Sequence, residues 1–130
     1  MYRWVDHTAE VELLVEAEHE EGVFSEALSA LGELMSDEGT AETATYEVSA
    51  AAPDHAALLV EWLNEVVYLA ETEALVPERV ERLRLDERGI ESTVSGRRAA
   101  ARPLVKAATY HRLELAETNG SWRATVVFDV

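Results

Sequence analysis

Residues 113–128 read Leu113-Glu114-Leu115-Ala116-Glu117-Thr118-Asn119-Gly120-Ser121-Trp122-Arg123-Ala124-Thr125-Val126-Val127-Phe128. Asn-Gly between two alternating runs is the strongest short-range signal for a two-residue β-hairpin. Strands are therefore predicted over 104–117 and 122–130. With Asn119 and Gly120 in the loop, Thr118 faces Ser121, and counting outward pairs Arg112 with Val127 and Tyr110 with Asp129. Trp122, Ala124, Val126 and Phe128 then share a face with His111, Leu113 and Leu115, which suits a core. Asp129 falls on the opposite face with Tyr110 and Lys106, the lysine four residues farther on, about 13 Å along an extended strand.

Working outward, residues 80–85 and the alternating Ile90, Ser92 and Val94 flank Asp86-Glu87-Arg88-Gly89, a second hairpin, followed by a loop over 96–103. Farther upstream, Leu58, Leu59, Trp62, Leu63, Val66, Leu69 and Ala70 make an apolar stripe of about five helical turns. Pro53 suits its first position, Asp54 its first turn, and Trp62 its core. Ala44, Tyr46 and Val48 alternate with polar residues as a strand. Phe24, Leu28, Leu31 and Met35 recur at helical spacing, with Gly39 placed to stop that helix. Val11, Leu13, Val15 and Ala17 alternate with glutamates, as in a half-buried strand. The expected fold class is α+β, two helices packed on a largely antiparallel sheet in the order β-α-β-α-β-β-β-β. A single domain over 1–130 is expected, without repeats or linkers.

Charge narrows the function classes. The chain has 130 residues, 26 acidic and 11 basic side chains and a net charge of -15. Such a surface repels phosphate backbones, so direct nucleic-acid binding is not expected. No stretch is long and apolar enough for a membrane span and the start lacks a signal-peptide core, so the expected location is the cytoplasm. With no cysteine, a metal here would be held by oxygen or imidazole. Ten of the bases are arginine and one is lysine, Lys106. A lone lysine among arginines suggests a role for a compact point charge.

Parity puts Glu10 on the polar side of the first strand, and Asp129-Val130 offers two anionic groups one residue apart. Such hard oxygen donors suit calcium or magnesium better than zinc, with manganese a further option. In a chain this acidic, a solvated surface is the competing reading. His7 and His111 read as packed or capping residues, and Asp37 as helix-terminal turn chemistry. No Gly-x-Ser-x-Gly elbow or Gly-rich phosphate loop is present.

The segments Asp6-His7-Thr8-Ala9-Glu10-Val11, Met35-Ser36-Asp37-Glu38-Gly39, Leu58-Leu59-Val60-Glu61-Trp62-Leu63-Asn64-Glu65, Val105-Lys106-Ala107-Ala108-Thr109-Tyr110-His111 and Phe128-Asp129-Val130 together resemble the archease family in order and spacing. The resemblance implies a non-catalytic protein cofactor that activates an RtcB-type RNA ligase in tRNA splicing and RNA repair, promoting ligase guanylylation and repeated turnover. It implies a metal site at Glu10, Asp129 and Val130 holding a divalent cation, calcium first and magnesium or manganese as alternatives, with Lys106 as the functional lysine. Glutamate stands at position 10 where the family has aspartate, so that donor reaches one methylene farther. Two alternatives come from other classes: a stand-alone metal-dependent hydrolase using Glu10 and Asp129, and a general chaperone without metal dependence.

Overall fold

The computed structural model describes residues 1–7, 9–35, 42–99 and 105–130. Its elements run β1 (Tyr2–His7), β2 (Glu10–Ala17), α1 (Glu20–Met35), β3 (Thr43–Ala51), α2 (His55–Thr72), β4 (Leu75–Leu85), β5 (Gly89–Arg98), β6 (Ala107–Thr118) and β7 (Ser121–Asp129). The expected order is present, with β1 added in front and β4 starting upstream of residue 80. The strands divide into two antiparallel sheets, β1-β2-β7-β6 and β3-β5-β4. Each helix touches both, α1 through β2 and β4, α2 through β6 and β3, so the helix pair bridges the sheets.

Alternation and helical periodicity meet in one core. Leu13 and Val15 of β2, Ala124, Val126 and Phe128 of β7, Phe24, Leu28 and Leu31 of α1, and Leu58, Trp62 and Val66 of α2 are all buried. Trp4 tilts against Phe128 and Phe24 against Trp62, with ring centroids 5.6 and 5.7 Å apart, the offset geometry that aromatic quadrupoles favour. Trp62 is a core residue, as expected. Its indole Nε1 donates to Ser92 Oγ at 2.9 Å, and Ser92 Oγ donates to Val48 O at 2.7 Å, which satisfies both buried polar groups.

Helix α2 starts two residues later than Pro53 suggests, at His55. Asp54 is its N-cap, accepting from Ala57 N at 2.8 Å, because a carboxylate there satisfies a helix N–H that would otherwise be orphaned. His55 then ties three elements together. Its Nδ1 lies 2.9 Å from Glu20 Oε2 and its Nε2 2.6 Å from Asp86 O. Both ring nitrogens face acceptors, which only the imidazolium satisfies in full.

The 118–121 hairpin forms as predicted, Thr118 opposite Ser121, with Asn119 at φ 54° and Gly120 at φ 79° as a type I′ turn needs. Beyond it the expected register fails. Glu114 faces Thr125 whereas Thr109 faces Val127, so five steps along β6 match two along β7, an excess of three. The expected pairs of Arg112 with Val127 and Tyr110 with Asp129 do not occur. Ala107 faces Asp129 instead. Thr109 supports the bulge from below: its Oγ1 donates to Val127 O at 2.8 Å and accepts from His111 N at 3.3 Å, and Arg112 takes φ 51°. His111, expected in the core, is exposed on this bulge, because an odd excess exchanges the two sheet faces.

Strand β6 lies at the edge of its sheet, where main-chain groups lack a neighbouring strand. Asn64 of α2 supplies one locally. Its Oδ1 accepts from Ala108 N at 2.7 Å and its Nδ2 donates to Ala108 O at 3.1 Å. Replacing Asn64 with alanine leaves both groups of Ala108 without that partner, and the expected loss is about 2 kcal/mol of unfolding free energy in urea titrations, given 1–3 kcal/mol for a polar group left unpaired.

The His55 contacts give a pH signature. Burial pulls its pKa down, but the Asp86 carbonyl and the Glu20 carboxylate outweigh that, and the net direction is upward. A histidine whose pKa is raised on folding stabilises fully below its unfolded value of about 6.5, and that contribution is lost as pH rises through the folded value. The urea midpoint should therefore carry a downward component as pH rises above about 6.5 that His55→Gln removes.

Candidate functional site

The β7 strand is paired on both sides, and its C-terminal end gathers residues from both ends of the chain. On one flank Glu10 is the direct partner of Asp129, and Val11 of Phe128. On the other, Ala107 faces Asp129, and Lys106 N donates to Asp129 O at 2.8 Å. Val130 N donates to Ala9 O at 3.3 Å, where Ala9, at φ 62°, leads the chain into β2. Glu10, Lys106, Asp129 and Val130 thus meet at one corner of the sheet.

The bulge changes where Lys106 sits. A regular hairpin would carry it about four residues past the end of β7. The excess of three draws it back until its amide bonds to Asp129, but because the excess is odd Ala107, not Lys106, takes the place across from Asp129, so the expected shared face of Lys106 and Asp129 does not hold along the strand. Lys106 and Asp129 are exposed, whereas the Glu10 side chain retains 27% of its surface. His7 pairs with Glu10 through the main chain and closes β1. Asp37, Gly39 and the His7 side chain lie outside the described residues.

Glu10, Glu12 and Asp129 all lie on the face of the sheet turned away from Leu13 and Phe128, because β-strand side chains alternate. Glu10 and Asp129 are directly opposite, a relation that brings Cβ atoms within about 5 Å and makes like charges repel. A cation relieves that repulsion. In the structure Arg112 contributes one: its Nη2 lies 3.4 Å from Glu10 Oε1 and 3.5 Å from Glu12 Oε2. Neither Arg112 nor Asn64 stands out in the sequence as a site residue. Asn64 carries a helix-face signal that suits any polar position, and the reach of Arg112 depends on a bulge that has no periodic signature.

The donor set fits a hard cation in kind. Two carboxylates and the main-chain oxygens of Val130 are oxygen ligands of the sort calcium, magnesium and manganese take. Among the described residues no three acidic or imidazole side chains are grouped so as to hold a metal ion. The corner is also open. A cavity of about 410 Å³, lined by Tyr2, Arg3, Leu14, Glu16, Arg123 and Thr125 among others, lies toward the other end of the same sheet and includes none of the four residues. The arrangement suits contact with a surface more than enclosure of a small substrate.

Comparison with known proteins extends over the whole chain. The model of the Archease protein family matches residues 2–130. The archeases of Methanosarcina mazei and Methanosarcina acetivorans are 35% and 36% identical, each match covering 99% of this chain and 95% of the relative. The solution structure of a Methanobacterium thermoautotrophicum protein superposes with a TM-score of 0.75 at 27% identity, covering 99% of this chain and 98% of the other. A crystal structure from Thermotoga maritima, of an archease described as a possible chaperone, has a TM-score of 0.70 at 20% identity and covers 100% of this chain and 98% of its own; it shows a shared fold. No described helix is long and apolar enough to cross a membrane. With the motif segments, the helix and strand order and the family model in agreement from one end to the other, the chain belongs to the archease family.

Proposed function

We propose that this chain is a non-catalytic activator of an RtcB-type RNA ligase in the cytoplasm, promoting guanylylation and repeated turnover in tRNA splicing and RNA repair. The observation that carries the reading is the convergence of Glu10, Asp129, Val130 and Lys106 on one open corner through the β2-β7-β6 ladder. Membership of the archease family gives that corner its context.

In this reading Glu10, Asp129 and the main-chain oxygens of Val130 hold a divalent cation, calcium in the first place, with magnesium or manganese as alternatives. When bound, the ion supplies a concentrated positive charge that hard oxygen ligands on a partner or substrate can share. The protein's own residues do the rest. Glu10 and Asp129 fix the position of negative charge because both stand on a paired strand. Lys106 is held at the rim by its amide bond to Asp129, where its ammonium serves as a point charge toward phosphate or carboxylate groups. A net charge of -15 favours docking on the basic mouth of a nucleic-acid enzyme and disfavours independent RNA binding. Activation then requires that the corner bind the guanylylation-competent state of the ligase more tightly than its resting state.

Ligation by the cognate ligase, in single and multiple turnover, tests this directly. The parent protein should stimulate turnover, and Glu10→Ala, Asp129→Ala and Lys106→Ala, each folded by circular dichroism, should lose most of it, at least about tenfold, the equivalent of 1.4 kcal/mol. Equal stimulation by all three variants would leave only a general chaperone role, and phosphate-ester hydrolysis without ligase would point to the hydrolase.

A further inference from the structure

Glu10 has a partner before any metal arrives. Arg112 lies in the β6 bulge, on the far side of β7 from β2, and yet its guanidinium reaches both Glu10 and Glu12. Spanning two inter-strand spacings takes nearly 10 Å, which the bulge makes feasible by lifting residues 110–113 out of the ladder.

Three features suggest that this contact is built to yield. First, Nη2 stands 3.4 Å from Glu10 Oε1 and 3.5 Å from Glu12 Oε2, well beyond the roughly 2.7–2.9 Å of a strong charge-assisted bond. Second, the Arg112 side chain retains 46% of its surface, and pairs in that setting are weak and screened. Third, Arg112 sits at φ 51°, a conformation that costs a side-chain-bearing residue energy. Glu12 has the opposite character. Its side chain keeps 14% of its surface, so its charge is partly desolvated and needs a cation nearby.

We infer that Arg112 is a tethered counter-cation for the carboxylate ladder. It neutralises Glu10 and Glu12 in the metal-free protein and must release Glu10 for that carboxylate to ligate a divalent ion, so that it sets the metal affinity of the corner from outside the ligand set. The inference rests on the metal-site reading proposed above. It makes Arg112 a competitor for Glu10. Removing the guanidinium therefore strengthens ion binding, whereas a purely structural bulge residue would leave affinity unchanged or lower it.

Calorimetric titration of the full chain with Ca²⁺ and with Mn²⁺ tests this, comparing the parent, Arg112→Gln, Arg112→Gly and Glu10→Ala. Arg112→Gln removes charge while keeping a long side chain; Arg112→Gly also relieves the backbone. Both should bind about fivefold tighter than the parent, the scale of one weak ion pair, with folding checked by circular dichroism. Parent-like or weaker binding by Arg112→Gln overturns the role of Arg112 even if Arg112→Gly binds tighter, since backbone relief alone would then be the cause. In that event loss of binding in Glu10→Ala would leave the metal-site reading intact. Absence of binding by the parent and both Arg112 variants, or full binding by Glu10→Ala, overturns the site reading and the inference together.

Discussion

The pairing of β7 on both edges is the constraint from which the rest of the molecule follows. A strand with neighbours on each side fixes the height of every residue that faces it, to within the hydrogen-bond register. Because β2 comes from the start of the chain and β6 and β7 from its end, that register fixes Glu10 beside Asp129 and Ala107 on the other side. The core maintains it. Phe128, Val126 and Leu13 are fully buried, and a one-residue slip in one direction would put Glu12 in place of Leu13 or Asp129 in place of Phe128.

A second constraint acts on the free edge of β6. Asn64 pairs with both main-chain groups of Ala108, which locks the start of β6 to a helix that is itself buried along Trp62, Leu63 and Val66. The position of Lys106 is thus set from two directions, by β7 through Asp129 and by α2 through Asn64 two residues downstream. Between this anchored start and the 118–121 turn, β6 has three residues more than β7 can match, and the surplus rises as the bulge that carries Arg112. The excess length places the lysine and the arginine at once.

Much of this was legible in the sequence where physics is local. The Asn119-Gly120 turn declared itself because both residues tolerate positive φ, and the stripe from Leu58 to Ala70 could only be a helix packed on something broad. The archease resemblance rested on short segments whose order the fold respects. What escaped was set by tertiary context. Strand β1 has a weak signal, because Val5 and Asp6 break the alternation begun by Tyr2 and Trp4. The β6 register is not legible because an odd excess of residues leaves no periodic trace; a regular hairpin puts His111 in the core and Lys106 too far from Asp129. Arg112, predicted to sit opposite Val127, reaches Glu10 and Glu12 only because that assignment fails.

The convergence at the corner can be read without any ligase. In ¹H–¹⁵N correlation spectra of the full chain titrated with substoichiometric Mn²⁺, paramagnetic broadening falls off steeply with distance from the ion. Broadening centred on the amides of Glu10, Val11, Lys106, Ala107, Asp129 and Val130 is the expected result. Broadening spread over the many surface glutamates, or centred on the far end of the sheet around Glu16 and Arg123, would contradict the proposed site.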